Sequence, residues 1–367
     1  MINISNNNIR EFFFYLFLSL SFLSEYKFIN SSVIPYIIIL ILIIFDYKKI
    51  QLNKFQAGLV VFFFFYLLLI FFYCTDLKIL FKNLKYWFGF FLVYFYFYIY
   101  KYNFNYLFLL RFLCLVVITE SLLINTIIDQ EILYHTPNNA YFFNIYQRPP
   151  SFGGISSVTG IGLIFLYFYN HIYVSRIKYY DTLIFLLSIL LLFSTSAFIL
   201  LSLVFLGSII FKKKKDYFDY SINFFVILSI LFIIVFINYF ENLYLTENFN
   251  FEKITISYFK KIFLVTILDF YEYFLSKDFS LNFLFGNQIL GILETSGDNA
   301  YLIMLEQVGL IGLIIILFSI YIFSNKKAYF TFSLFLIYIS NFHYYPLGTI
   351  MVQIIIINLM LYNEKNQ

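Results

Sequence analysis

Arg148 leads the run Arg148-Pro149-Pro150-Ser151-Phe152-Gly153-Gly154. A guanidinium is planar, permanently protonated and able to grip two phosphate oxygens at once. Arginine is scarce in this chain: only Arg10, Arg111, Arg148 and Arg176 occur, against a background of lysine. The two prolines stiffen the run, and the two glycines let the backbone turn back into the next element. A loop that is both stiff and sharply turned holds its side chains in place. A second constellation reads Gly286-Asn287-Gln288-Ile289-Leu290-Gly291, then Ser296-Gly297-Asp298-Asn299-Ala300-Tyr301-Leu302, then Glu306, Gly309 and Gly312. Asp298 suits a helix N-cap, where a carboxylate is favoured, or a proton acceptor. Glu306 lies eight residues later, about 12 Å further along a helix. Gly309 and Gly312 permit close helix approach.

Glu120 stands inside an apolar run. Its nearest cation in sequence, Arg111, lies nine positions earlier, which on a helix is about 180° away. The two cannot share a face, so Glu120 requires another partner or a polar cavity. Arg111 sits near the start of the run, where a long side chain snorkels out to the surface. Other chemistries are missing. No glycine-rich phosphate loop of the ATP-binding kind occurs. His135, His171 and His343 are scattered, and no His/Cys set has metal-ligand spacing. Asp129-Gln130-Glu131 reads as a solvated helix end.

The elements that must position these residues are apolar. The chain has 367 residues, 62% hydrophobic, 25% aromatic and 12% charged. Such a composition excludes an ordinary soluble domain and a disordered chain. Cys74 and Cys114 lie within apolar runs and behave as small hydrophobes, not as a disulfide framework. A spanning helix takes roughly 20 mostly apolar residues. On that basis about twelve spans are predicted: 12–24, 32–45, 55–74, 86–100, 106–128, 154–170, 182–194, 196–211, 221–240, 300–324, 328–342 and 346–362. The apolar stretch 182–211 is broken at Ser194-Thr195-Ser196 into two helices. The first run lacks a cleavage site of small residues and reads as a retained anchor.

The basic residues set the orientation. With both termini cytoplasmic, Arg10, Lys48, Lys49, Lys54, Lys101, Arg176, Lys178, Lys212 to Lys215, Lys326, Lys327 and Lys365 all lie inside. Arg148 is then the one arginine that faces out. The Lys212–Lys215 run sits between two spans, so it is a topology signal and not a nucleic-acid patch. The chain reads as a single membrane domain, 1–367, with a short outer segment at 129–153 and a large outer loop at 241–299. Within the large loop, 252–277 carries Phe259, Ile262, Phe263, Thr266, Phe270, Tyr273 and Phe274 on one helical face. Lys260, Lys261, Asp269, Glu272 and Lys277 interrupt it, a mixture that suits an amphipathic helix lying in the membrane interface. The predicted fold class is thus an all-α polytopic bundle with an interfacial helix in its large loop.

These residues resemble the Wzy-type polysaccharide polymerases, the O-antigen polymerase family of bacterial inner membranes. The span layout and the two unequal outer loops match. So do the arginine-led segment Arg148 to Gly153 with Gly160, and the late stretch Leu284-Phe285-Gly286 through Asp298-Asn299-Ala300-Tyr301-Leu302 to Glu306-Gln307-Val308-Gly309-Leu310-Ile311-Gly312. The chain departs from the family in two places. Gly154-Ile155-Ser156-Ser157 stands where relatives often carry a Glu-Pro pair, and the large loop holds no arginine, which leaves Lys260 or Lys261 to supply that charge. Asp298 stands where the related O-antigen ligases tend to carry a histidine, which favours polymerase over ligase.

The resemblance implies glycosyl transfer between undecaprenyl-diphosphate-linked glycans at the outer face of the bacterial inner membrane, without a cofactor or an essential metal. Arg148, Asp298 and Glu306 are the implied catalytic residues. Lys260, Lys261, Asn299, Glu120 and Gly153 are the implied substrate contacts. Membrane lipids surround it, and a chain-length regulator and a flippase of the same pathway are the implied partners. Lipid-linked oligosaccharide transport is the rival class, but similar halves and short loops are expected of a transporter and this sequence has neither.

Overall fold

A computed structural model describes residues 6–28, 33–73, 89–100, 105–135, 141–142, 146–171, 177–194, most of 196–204, 284–286, 308–317, 319 and 349–361. The large loop 241–299 apart from 284–286, its interfacial helix, the spans 221–240 and 328–342, and Lys212–Lys215 lie outside the described residues, as do Lys260, Lys261, Asp298, Asn299 and Glu306.

The described chain is overwhelmingly helical. The helices are α1 (Asn6–Leu23), α2 (Ile34–Phe45), α3 (Lys54–Tyr73), α4 (Gly89–Ile99), α5 (Tyr106–Thr126), the short α6 (Gln130–Leu133), α7 (Ser156–Tyr169), α8 (Tyr179–Leu192), α9 (Val308–Leu317) and α10 (Ile350–Leu361). A two-residue hairpin pairs Tyr141–Phe142 with Tyr146–Gln147 ahead of α7. Where the predicted spans fall on described residues, helices stand there. The predicted break at Ser194-Thr195-Ser196 is also present. Phe193 closes α8 in the left-handed region at φ 42°, and Ser194 Oγ accepts the Ala197 N–H at 3.3 Å to start the next helix.

At the centre is α7, in which every residue is buried. It packs against α5, α8 and α10, while α1 bridges α2 and α10. Gly160 lets the helical residues after Ser194 come close to α7, because a Cβ there would stand 2.6 Å from the Ala197 Cβ.

Helix α5 is long and apolar enough to cross a membrane. Its outer side is apolar as well as its inner one, unlike a surface helix in water. Phe108, Phe112, Leu115 and Leu122 form an exposed stripe, while Leu110, Leu113, Val117, Glu120, Ser121 and Ile124 face inward. Bulky apolar groups line both sides, and the one acid is inside. Ile37, Ile41 and Ile44 of α2, and Phe62, Phe65, Leu68, Leu69 and Phe72 of α3, extend the exposed apolar surface. Apolar exposure on this scale marks a surface meant for lipid or protein rather than water.

Candidate active site

The two ends of the bundle follow from the connections. Helices α1, α5 and α8 finish at one end, where α7 begins, and the loop 146–154 lies across it. Glu120 faces this end from the last turns of α5.

The loop is fastened at almost every residue. The Tyr146 hydroxyl donates to the Leu191 carbonyl at 2.5 Å and shares a 2.7 Å hydrogen bond with Ser121 Oγ. Asn125 clamps Gln147, donating to its carbonyl at 3.0 Å and accepting its N–H at 2.8 Å. Gln130 Nε2 donates to the Arg148 carbonyl at 3.0 Å. The Thr159 hydroxyl, one turn into α7, donates to the Pro150 carbonyl and accepts the Gly153 N–H at 3.0 Å. Backbone shape completes the turn. Ser151 has φ 53° and Gly154 φ 69°, and the left-handed region is costly for a serine. Gly153 is buried with no room for a Cβ, which would stand 2.6 Å from Thr159 Oγ1. The structure thus gives Gly153 a packing role in holding the turn.

Arg148 is half-buried, and its guanidinium makes one long hydrogen bond, 3.3 Å to the Phe193 carbonyl. No carboxylate among the described residues pairs with it. Its main chain is pinned while its charge is left open, which suits an anion arriving from elsewhere.

Glu120 receives the partner its position required. Its Oε1 accepts from the Tyr26 hydroxyl, just beyond α1. The Tyr134 and Ser151 hydroxyls lie against the same carboxylate. The Tyr26 and Tyr134 rings meet at a 34° tilt, 5.3 Å between centres, and the two residues form a β-bridge. Burial, and then the Glu120 charge, pushes both phenols well above the ordinary tyrosine range. Both stay protonated and able to donate. Glu25 approaches the turn from the other side, since a Cβ on Gly154 would stand 2.6 Å from its Oε2.

Arg111 behaves differently from the snorkelling expectation. It is bound by Asp181 at the start of α8, Nε to Oδ1 at 2.6 Å and Nη2 to Oδ2 at 3.1 Å, with the Tyr180 ring beneath it. Asp129 caps α6 through the Glu131 N–H at 3.1 Å, as a solvated helix end would. Of the late motif, Leu284-Phe285-Gly286 and Val308-Gly309 are together. The Tyr66 hydroxyl on α3 reaches the Phe285 carbonyl at 3.4 Å and also donates to the Val308 carbonyl.

Sequence reasoning missed Tyr26, Tyr134, Ser121, Asn125 and Thr159. The tyrosines were indistinguishable among 35 of their kind. Asp181 had a readable signal, an acid in the first turn of an apolar helix. Among the described residues no group of three His, Cys, Asp or Glu side chains is placed to hold a metal ion. Comparison with family models, with curated proteins and with solved structures gives no match to this chain.

Proposed function

We propose that this chain is a polytopic inner-membrane glycosyltransferase, with about twelve spans and both termini cytoplasmic. It polymerises undecaprenyl-diphosphate-linked oligosaccharide repeat units into O-antigen or a related surface polysaccharide. The observation that supports this best is the loop 146–154, rigidly fastened to an apolar bundle and presenting an arginine with no carboxylate partner among the described residues. A donor already activated as a lipid diphosphate requires positive charge on the leaving group and a base near the attacking hydroxyl.

In this reading Arg148 holds the diphosphate, helped by Lys260 or Lys261. Asp298 is the base or orients the acceptor with Asn299, and Glu306 or Glu120 assists. No nucleotide sugar and no cofactor enter. The partners are lipid-linked glycans, membrane lipids, and a chain-length regulator and flippase of the same pathway.

Deleting the gene and sizing the surface glycan on a gel tests the reading. A ladder that collapses to core plus one repeat unit supports polymerase. Long chains left on carrier lipid with none attached would replace it with ligase. Single units trapped on the cytoplasmic side would replace it with transport.

A further inference from the structure

Three polar atoms face one another at one buried place, Glu120 Oε2, the Tyr134 hydroxyl and Ser151 Oγ, and none of them closes a well-formed hydrogen bond. Glu120 is 8% exposed, and the other two residues are fully buried. Folding gains nothing from this arrangement, because a buried polar atom left unsatisfied is destabilising. It persists here on a backbone bent into the left-handed region at Ser151, the kind of strain that collects at ligand sites. The three atoms are chemically complementary to one kind of ligand. A carboxylate oxygen accepts, a phenol donates, and an aliphatic hydroxyl does either. An anion would be repelled by Glu120. A divalent ion would ask for more acidic ligands than the described residues supply here. A neutral hydroxyl satisfies all three.

We infer that Glu120, Tyr134 and Ser151, with Tyr26 holding the far side of the carboxylate, form a subsite for a carbohydrate hydroxyl. The inference rests on the glycosyl-transfer reading and names its acceptor site, with Glu120 as the base and Asp298 left to orient the acceptor. Ser151 is three residues from Arg148, so their backbones are no more than about 11 Å apart. One sugar ring can therefore reach both the leaving diphosphate at Arg148 and the hydroxyl subsite. In the transfer, the hydroxyl oxygen bonds to the anomeric carbon of the donor and its proton passes to Glu120 Oε2. The bond from that carbon to the diphosphate oxygen breaks, and its electron pair leaves on the diphosphate beside Arg148. Glu120 then returns the proton to water.

The test uses the full chain in nanodiscs, with lipid-linked repeat unit extracted from the deletion strain as probe. Binding and polymerisation are measured side by side for wild type, Ser151→Ala, Tyr134→Phe, Glu120→Gln and Glu120→Asp. The first two variants remove only an atom that closes no well-formed hydrogen bond, so they are expected to melt close to the wild-type temperature and yet bind the probe about five- to tenfold more weakly. Glu120→Gln is expected to lower kcat about 100-fold and erase the acidic limb of the pH–rate profile, with Glu120→Asp partly restoring both. A purely structural cluster would give higher stability with unchanged binding, and that result overturns the subsite. Failure of the wild-type protein to polymerise the probe would instead strike the functional reading. The binding comparison would still decide the subsite.

Discussion

Arg111, near the start of α5, and Arg148, on the loop beyond its end, carry the same guanidinium in two settings. Arg111 is bidentate to Asp181, which is fully buried, and Asp181 in turn accepts the Lys178 N–H at 3.0 Å to cap α8. At that end Arg10 likewise pairs with Asp46 at 3.0 Å, joining α1 to α2. Asp46 and Asp181 there each meet a cation. At the other end Arg148 has a single carbonyl contact and Glu120 has a phenol. These two opposite charges flank one loop and do not pair with each other. Charge that is closed within the protein serves the fold. Charge that is left open, on a backbone fastened as tightly as 146–154, is held ready for something else.

The largest effect expected is at Arg148. Replacing it with lysine keeps the charge and removes the planar fork. Loss of polymer formation by about 100-fold or more, at normal membrane levels and unchanged melting temperature, would sharpen the contrast. Full activity in Arg148→Ala would break it. Arg111→Leu is expected to act on the opposite axis. It strands a buried carboxylate, which costs about 3 kcal/mol, at the low end because the guanidinium is one-third exposed. The melting temperature of the purified protein should fall while activity per folded molecule holds. Adding Asp181→Asn should recover most of the loss, since asparagine still caps the Lys178 N–H without a charge to strand. A wild-type melting curve with abolished glycan synthesis would reverse the assignment of the two arginines.

Thr159→Val falls between these. The hydroxyl joins Pro150 to Gly153, and its removal leaves a buried carbonyl and a buried N–H unserved. The expected cost is about 2 kcal/mol. Because the same hydroxyl sets the turn that follows Arg148, activity should fall as well. Stability lost without activity would mean that the turn does not govern where the arginine points.

The difference between the two ends also explains what was legible in the sequence. Helices announce themselves by apolar length and breakers, so α5, α7 and the stop at Phe193-Ser194 could be read directly. Glu120 stood out because a lone acid is expensive in an apolar run, and its failure to pair with Arg111 followed from the helical angle alone. The fastening of the loop was invisible. Tyr146 with Ser121, Asn125 with Gln147 and Thr159 with Pro150 are pairings of ordinary residues across a fold, and no local pattern marks them. Tyr26 and Tyr134 meet Glu120 only because the segments beyond α1 and α5 pair with each other at the same end of the bundle. A charge reveals itself by its cost, whereas a neutral donor reveals itself only once packing has chosen its partner.

The smallest effect marks the baseline. Asn105 caps α5, its side chain accepting the Phe108 N–H at 3.0 Å. Asn105→Ala removes one capping bond, worth about 1 kcal/mol. It lies at the end where charges are closed, about 22 Å along the helix from Glu120. The melting temperature should drop slightly, with glycan length and the rate per folded molecule unchanged. The value of so mild a variant is that it perturbs the same helix that carries Glu120. If loosening the start of α5 shortened the polymer, the two ends would be coupled through the helix, and the division between a structural end and an open one would fail. An unchanged product would show that α5 carries Glu120 as a rigid post whose position is set locally, by Tyr26 and the fastened loop.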